Sequence, residues 1–206
     1  MQDPADQPPF LDPKRAAVLK HARRAFVRDG FAGAKMEPIA REAGVSTATL
    51  YSLFEAKTEL FAAVIEDAAD DFQRLMGHVR SASGTAPERL THFATAYARF
   101  MGDPFIRSVF RLVMAERPRF RDVAMRFFDR GKSDFGGVLM QALREMDEAG
   151  ELRVPHPSWA AGQLMGMIEH PIFFMPLVTG DEVRAVRVPD QIAADAVETF
   201  MARYGA

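Results

Sequence analysis

The sequence predicts an all-α protein made of two domains, a small three-helix head followed by a larger helical body. Three observations predict it. Apolar residues recur at helical spacing from Leu19 to Tyr204, and no stretch shows the alternation of a half-buried strand. Glycine and proline punctuate the chain, as at Gly102-Asp103-Pro104, Pro118, Pro155-His156-Pro157 and Thr179-Gly180-Asp181. Charge is also unevenly shared: residues 14–57 carry nine Lys or Arg against four Asp or Glu, while residues 58–206 carry 17 against 21. A basic segment joined to a mildly acidic remainder gives contact with a polyanion to the first part alone.

Composition removes several function classes. There is no cysteine, so disulfides and cysteine-based zinc sites are excluded. No apolar run is long enough to span a bilayer, and residues 1–13, with four prolines and three Asp, lack the basic start and apolar core of a signal peptide. These residues read as a disordered arm, and the expected location is the cytoplasm, with no membrane partner. The five His are scattered, with no pair four residues apart. No Ser/His/Asp set or phosphate-cradling glycine loop stands out, so no catalytic residue, metal or cofactor is expected. An enzyme acting on apolar small molecules through a His with Glu169 or Glu116 is the remote alternative.

The head occupies residues 14–57. Its first helix runs from Lys14 to Asp29, with Leu19, Ala22 and Phe26 on one face and Gly30 placed to end it. In the stretch from Lys35 to Lys57, Ile39, Ala40 and Ala43 share a face, and Gly44 supplies the sharp corner. Ser46 then caps a second short helix in which Leu50, Leu53 and Phe54 return to one side. This is a helix-turn-helix pattern with Val45 and Leu50 as buried anchors. What remains outward on its second helix is small and polar: Thr47, Ala48, Thr49, Tyr51 and Ser52. A helix face without long charged side chains can approach base edges in the DNA major groove.

The ordered run Phe26, Gly30-Phe31-Ala32-Gly33, Ile39-Ala40, Ala43-Gly44-Val45-Ser46, Thr49-Leu50-Tyr51, Phe54 and Lys57 resembles the DNA-binding domain of TetR-type transcriptional regulators. A weaker likeness to the AefR-like branch lies in Phe110 to Glu116 and Gly150 to Arg153. The resemblance implies a DNA-binding set that begins at Ser46, in which Thr47, Ala48 and Ser52 meet bases while Thr49, Tyr51, Lys57 and Lys35 hold phosphates of a double-stranded, palindromic operator. One departure is visible. Where the family often caps its second helix with Ser or Thr, this chain has Ala34 and Lys35.

In the body, residues 58–206, helices are expected from Lys57 to Arg80 and near 87–101, 104–116, 120–149, 158–178 and 189–204. This region is rich in Phe and Met, side chains that line cavities accepting apolar ligands of several shapes. The resemblance implies such a chamber, with His92, Phe100, Phe110, Arg111, Met114, Phe128, Phe135, Met165, Glu169, His170 and Phe173 as candidate contacts to a hydrophobic effector. Glu116 is a further polar candidate, and His170-Pro171 should free a backbone carbonyl. The last two helices are strongly apolar, with Ile192, Ala193, Ala196, Val197, Phe200, Met201 and Tyr204 forming a stripe in the final one. The resemblance implies a homodimer joined through those two helices, and burial within one chain is the alternative. The functional expectation is a ligand-responsive repressor; an activator, or a regulator controlled by a protein partner, is not separated from it by sequence.

Overall fold

The computed structural model describes residues 12–80 and 83–206, so the expected arm lies, up to Leu11, outside the described residues. The order is α1 (Pro13–Gly33), α2 (Met36–Glu42), α3 (Thr47–Leu53), α4 (Lys57–Arg80), α5 (Ala86–Met101), α6 (Pro104–Glu116), α7 (Arg121–Gly131), α8 (Val138–Glu148), α9 (Pro157–Glu169), α10 (Met175–Thr179) and α11 (Pro189–Tyr204). Two π-helical turns, Lys132–Gly137 and His170–Phe174, join α7 to α8 and α9 to α10. Among the described residues there is no strand, only an isolated bridge between Leu152 and Gly205. The all-α expectation therefore holds, and no described helix is long and apolar enough to cross a membrane.

The chain forms two compact units that divide inside α4, the first ending at Asp67 and the second comprising Ala68–Ala206. The sequence reading placed the boundary at Lys57. In the first unit, Asp12 caps α1 by accepting from the Lys14 amide at 3.0 Å, so the tail of the expected arm already belongs to the helix start. Gly30 breaks α1 at φ 68°, and one further turn follows it. Phe26, Phe31 and Phe61 close around that break with ring centroids 5.3–6.0 Å apart. Val18, Leu19, Ala22, Ile39, Ala40, Leu50 and Phe54 complete a core that is out of water, each large side chain contributing about 1.5–3 kcal/mol of burial.

The corner after α2 is a Schellman motif. Val45 N–H reaches the Ala40 carbonyl at 3.0 Å and Gly44 N–H the Arg41 carbonyl at 3.2 Å, so two end carbonyls of α2 are satisfied. Closing both bonds puts Gly44 at φ 71°, a left-handed conformation that costs an L side chain about 1–2 kcal/mol. Lys35 provides no side-chain cap to α2, as its sequence implied.

In the second unit α11 packs on α5 and α9. Its stripe of Ile192, Ala193, Ala196, Val197, Phe200 and Tyr204 is buried there, within one chain. The apolarity of α11 therefore does not call for a partner, which corrects that part of the dimer argument. The uncovered face belongs instead to the segment from α9 to α10. A polar anchor fixes that segment: buried Arg107 donates to the carbonyls of Gly102 (2.7 Å) and Ile172 (3.1 Å) and pairs with Asp181, which also receives Arg111 at 2.6 Å. The two long helices expected over 120–149 and 158–178 are each interrupted by a π turn, a local widening that apolar spacing does not announce.

Replacing Gly44 by Ala is expected to lower stability in urea unfolding by about 1–2 kcal/mol, because the cost is the positive φ and not a clash. The same change at Gly77, a helical glycine of α4 with open space around it, should raise stability by about 0.5–1 kcal/mol.

Candidate functional site

The head presents α3 as a short shelf. Ser46 Oγ accepts from the Thr49 amide at 3.0 Å and shares a hydrogen bond with Thr49 Oγ1 at 2.8 Å, so the cap predicted from sequence is in place. Leu50 and Phe54 are buried beneath, which turns Ser46, Thr47, Ala48, Tyr51 and Ser52 outward together. Tyr51 is 44% exposed, high for an aromatic ring. Thr49 is half-buried, and Val45, expected as an anchor, is only partly covered. The α3 segment carries no charged side chain.

The two lysines proposed for phosphate part company. Lys35 is exposed at the start of α2. Lys57 is half-buried: its ammonium donates to the carbonyls of Ala34 (2.9 Å) and Ala32 (3.2 Å) and lies 4.7 Å from the centre of the Phe31 ring. It neutralises the carbonyl end of α1, where a cation is favoured.

In the second unit a cavity of about 270 Å3 opens among α4, α5, α6, α7, α9 and the two π turns. Of the predicted contacts, Phe110, Phe128, Phe135, Met165, Glu169 and Phe173 line it. Phe100 stands behind the wall, its ring 5.6 Å from both Phe72 and Phe135. His92, Arg111, Met114, Glu116 and His170 are not among the lining residues. His92, Met114 and His170 are exposed, and Arg111 is held by Asp181. Met101 and Phe127, counted among the Phe and Met of the body but not singled out as contacts, also line it, as do Phe72, Tyr97, Gly131 and Lys132, which sequence reasoning did not assign to the lining. The four-residue steps Phe93, Tyr97, Met101 on one face of α5 could have flagged Tyr97.

The polar content of this cavity is concentrated. Tyr97 donates a hydrogen bond to Glu169. Burial pushes the Glu169 carboxyl up, and the bond from Tyr97 holds part of that rise back. Burial, followed by the charge and hydrogen bond of Glu169, pushes the Tyr97 phenol well above its usual range, so it remains a donor at neutral pH. A larger hollow of about 390 Å3, between the end of α4, α5 and α8, is crossed by the Arg89–Glu145 ion pair at 2.8 Å. The smaller cavity is walled mainly by rings, with the Tyr97–Glu169 pair and the exposed Lys132 as its polar lining.

Comparison with known proteins gives two family matches. Residues 18–64 match the bacterial regulatory proteins of the tetR family, and residues 88–206 match the AefR-like transcriptional repressor C-terminal domain. The HTH-type transcriptional activator FasR of Mycolicibacterium smegmatis is 35% identical over 89 residues, which is 43% of this chain and 39% of that protein. This chain thus spans about two fifths of that relative's length. A Mesorhizobium loti chain described as a TetR-family regulator superposes with TM-score 0.77 at 23% identity, covering 94% of this chain and 97% of that one. The flavonoid-responsive regulator FrrA gives 0.69 at 26% identity over 93% and 97%. FadR of Bacillus subtilis, solved with stearoyl-CoA, gives 0.68 at 18% over 90% and 96%.

Lys57→Met should lower stability by about 1–3 kcal/mol in urea unfolding, because two carbonyls lose their charged donor. Lys35→Met should stay within about 0.5 kcal/mol of the parent, as for an exposed side chain.

Proposed function

The chain belongs to the TetR family of bacterial transcriptional regulators, and on that premise we propose that it is a homodimeric repressor released from a palindromic operator by a hydrophobic small molecule. The observation that carries the reading is the outer face of α3, uncharged, exposed and backed by buried Leu50 and Phe54. Thr47, Ala48 and Ser52 meet base edges, while Thr49, Tyr51 and Lys35 hold phosphates and fix the register. A twofold axis sets the two α3 helices in successive major grooves, about 34–36 Å apart or a multiple of that.

The exposed face that supports dimerisation runs through Trp159, Gly162, Gly166, His170, Phe174 and Val178. Trp159 is 68% exposed and Phe174 51%, and between them the two glycines let a second helix approach closely. Each four-residue step along an α-helix overshoots a full turn by about 40°. The wider π turn at His170–Phe174 takes up part of that drift.

The effector occupies the 270 Å3 cavity. An apolar effector is supported by two fold-mates, FrrA, named as flavonoid-responsive, and FadR, solved with stearoyl-CoA. Phe72, on the cavity wall, belongs to the same continuous helix that starts at Lys57. A ligand that displaces Phe72 thereby biases α4. Release requires the ligand to prefer the state that cannot bind DNA, since equal affinity for both states shifts nothing. An activator is the second reading, favoured by the name of the FasR relative.

Selection of bound DNA from a random pool supplies the operator. On it, Tyr51→Ala should weaken binding by about 10–100-fold while dimerisation and ligand uptake persist; undiminished affinity would remove α3 from the interface. Transcription from a promoter carrying that operator falls for a repressor and rises for an activator. Phe174→Glu should give a monomer in analytical ultracentrifugation and lose operator affinity with it, and a dimer unaffected by that charge would place the interface elsewhere.

A further inference from the structure

Resting on the cavity as the effector site, we infer that the effector is a lipophilic organic cation, whose ammonium sits against Glu169 inside aromatic walls. Seven of the lining residues are aromatic. Their rings form a connected shell: Phe110 stands 4.8 Å from Phe173 and 5.0 Å from Phe127, and Phe135 stands 5.0 Å from both Phe72 and Tyr97. Aromatic faces carry negative potential, so a shell of them is the environment in which quaternary and protonated amines are held.

Glu169 is the one acid on that wall. Its hydrogen bond from Tyr97 satisfies a phenol, but no Lys, Arg or His among the described residues forms an ion pair with it. Lys132 also borders the cavity, but it is exposed and forms no ion pair with Glu169. A neutral ligand filling the cavity would strip the Glu169 carboxyl of its remaining water and drive it further toward the protonated form. An ammonium returns a charge partner in surroundings that screen poorly, and the rings hold the rest of the molecule. A simple structural role, giving Tyr97 an acceptor, would be served equally by the amide of a glutamine. The test turns on that difference.

Calorimetric titration of the full chain should compare a phenylalkyl trimethylammonium, its uncharged tert-butyl isostere and the phenylalkyl carboxylate of equal length. The ammonium should bind about tenfold or more tighter than the isostere, the scale expected of a cation–π and charge contact together. Glu169→Gln should abolish that preference, the ammonium then binding no tighter than the isostere, and Glu169→Asp should retain most of it. The inference is overturned if the isostere or the carboxylate binds as tightly as the ammonium, or if the preference survives in Glu169→Gln. Operator release is read separately. Release by the neutral isostere without a charge preference would sink the inference and leave the regulatory reading standing. A Glu169-dependent preference without any release would uphold the inference and sink that reading.

Discussion

The exposed face of α3 depends on the removal of Leu50 from water. At seven residues, α3 is far shorter than a helix that persists by itself, and its sequence offers no charge pair to support it. It exists because Leu50 and Phe54 are buried against the rest of the head and because Ser46 ties down its first turn. Burial of that kind is directional in effect: once Leu50 points inward, helical geometry puts Ala48 and Ser52 on the opposite side, with Tyr51 beside them. The Schellman corner supplies the complementary restraint, since Gly44 lets the chain reverse within two residues while the last carbonyls of α2 stay hydrogen-bonded.

The second unit solves a different problem, keeping open space in a helical core. Close-packed interiors collapse around voids unless the lining is stiff. Here flat rings brace one another at centroid distances near 5 Å, and two π turns interrupt the helices on the cavity wall. A polar anchor outside the cavity, Arg107 with Asp181 and the Ile172 carbonyl, holds one of those turns in place. Asp181 adopts a left-handed φ of 71°, a conformation that a non-glycine residue keeps where several bonds determine it.

What the sequence disclosed follows from how local the physics is. Gly44, Ser46 and the spacing of Ala40, Leu50 and Phe54 act within a few residues of themselves, so the head was legible almost completely. Lys57 was not, because its partners are the Ala32 and Ala34 carbonyls, more than twenty positions away in the chain. In the body, helical periodicity identified the elements but could not say which neighbour covers each stripe. The last two apolar segments looked alike in sequence, yet the α11 stripe is answered by α5 and α9, while Trp159, Phe174 and Val178 of the other stay exposed. The polar candidates were the least legible. Arg111 found Asp181 and His170 faces outward, while Glu169 was drawn into the cavity beside a tyrosine that periodicity alone had not singled out.

The turn at His170–Phe174 has two sides. Phe173 forms part of the cavity wall, packed at 4.8 Å on Phe110, and the next residue, Phe174, stands in the outer stripe with His170 stacked on it at 5.8 Å. Adjacent residues on one turn cannot be repositioned independently. On the proposed reading, cavity occupancy and subunit association are linked quantities in the thermodynamic sense: whatever factor one imposes on the other is returned in equal measure. On that reading, dilution of the protein acts on the effector equilibrium as a change in effector concentration does.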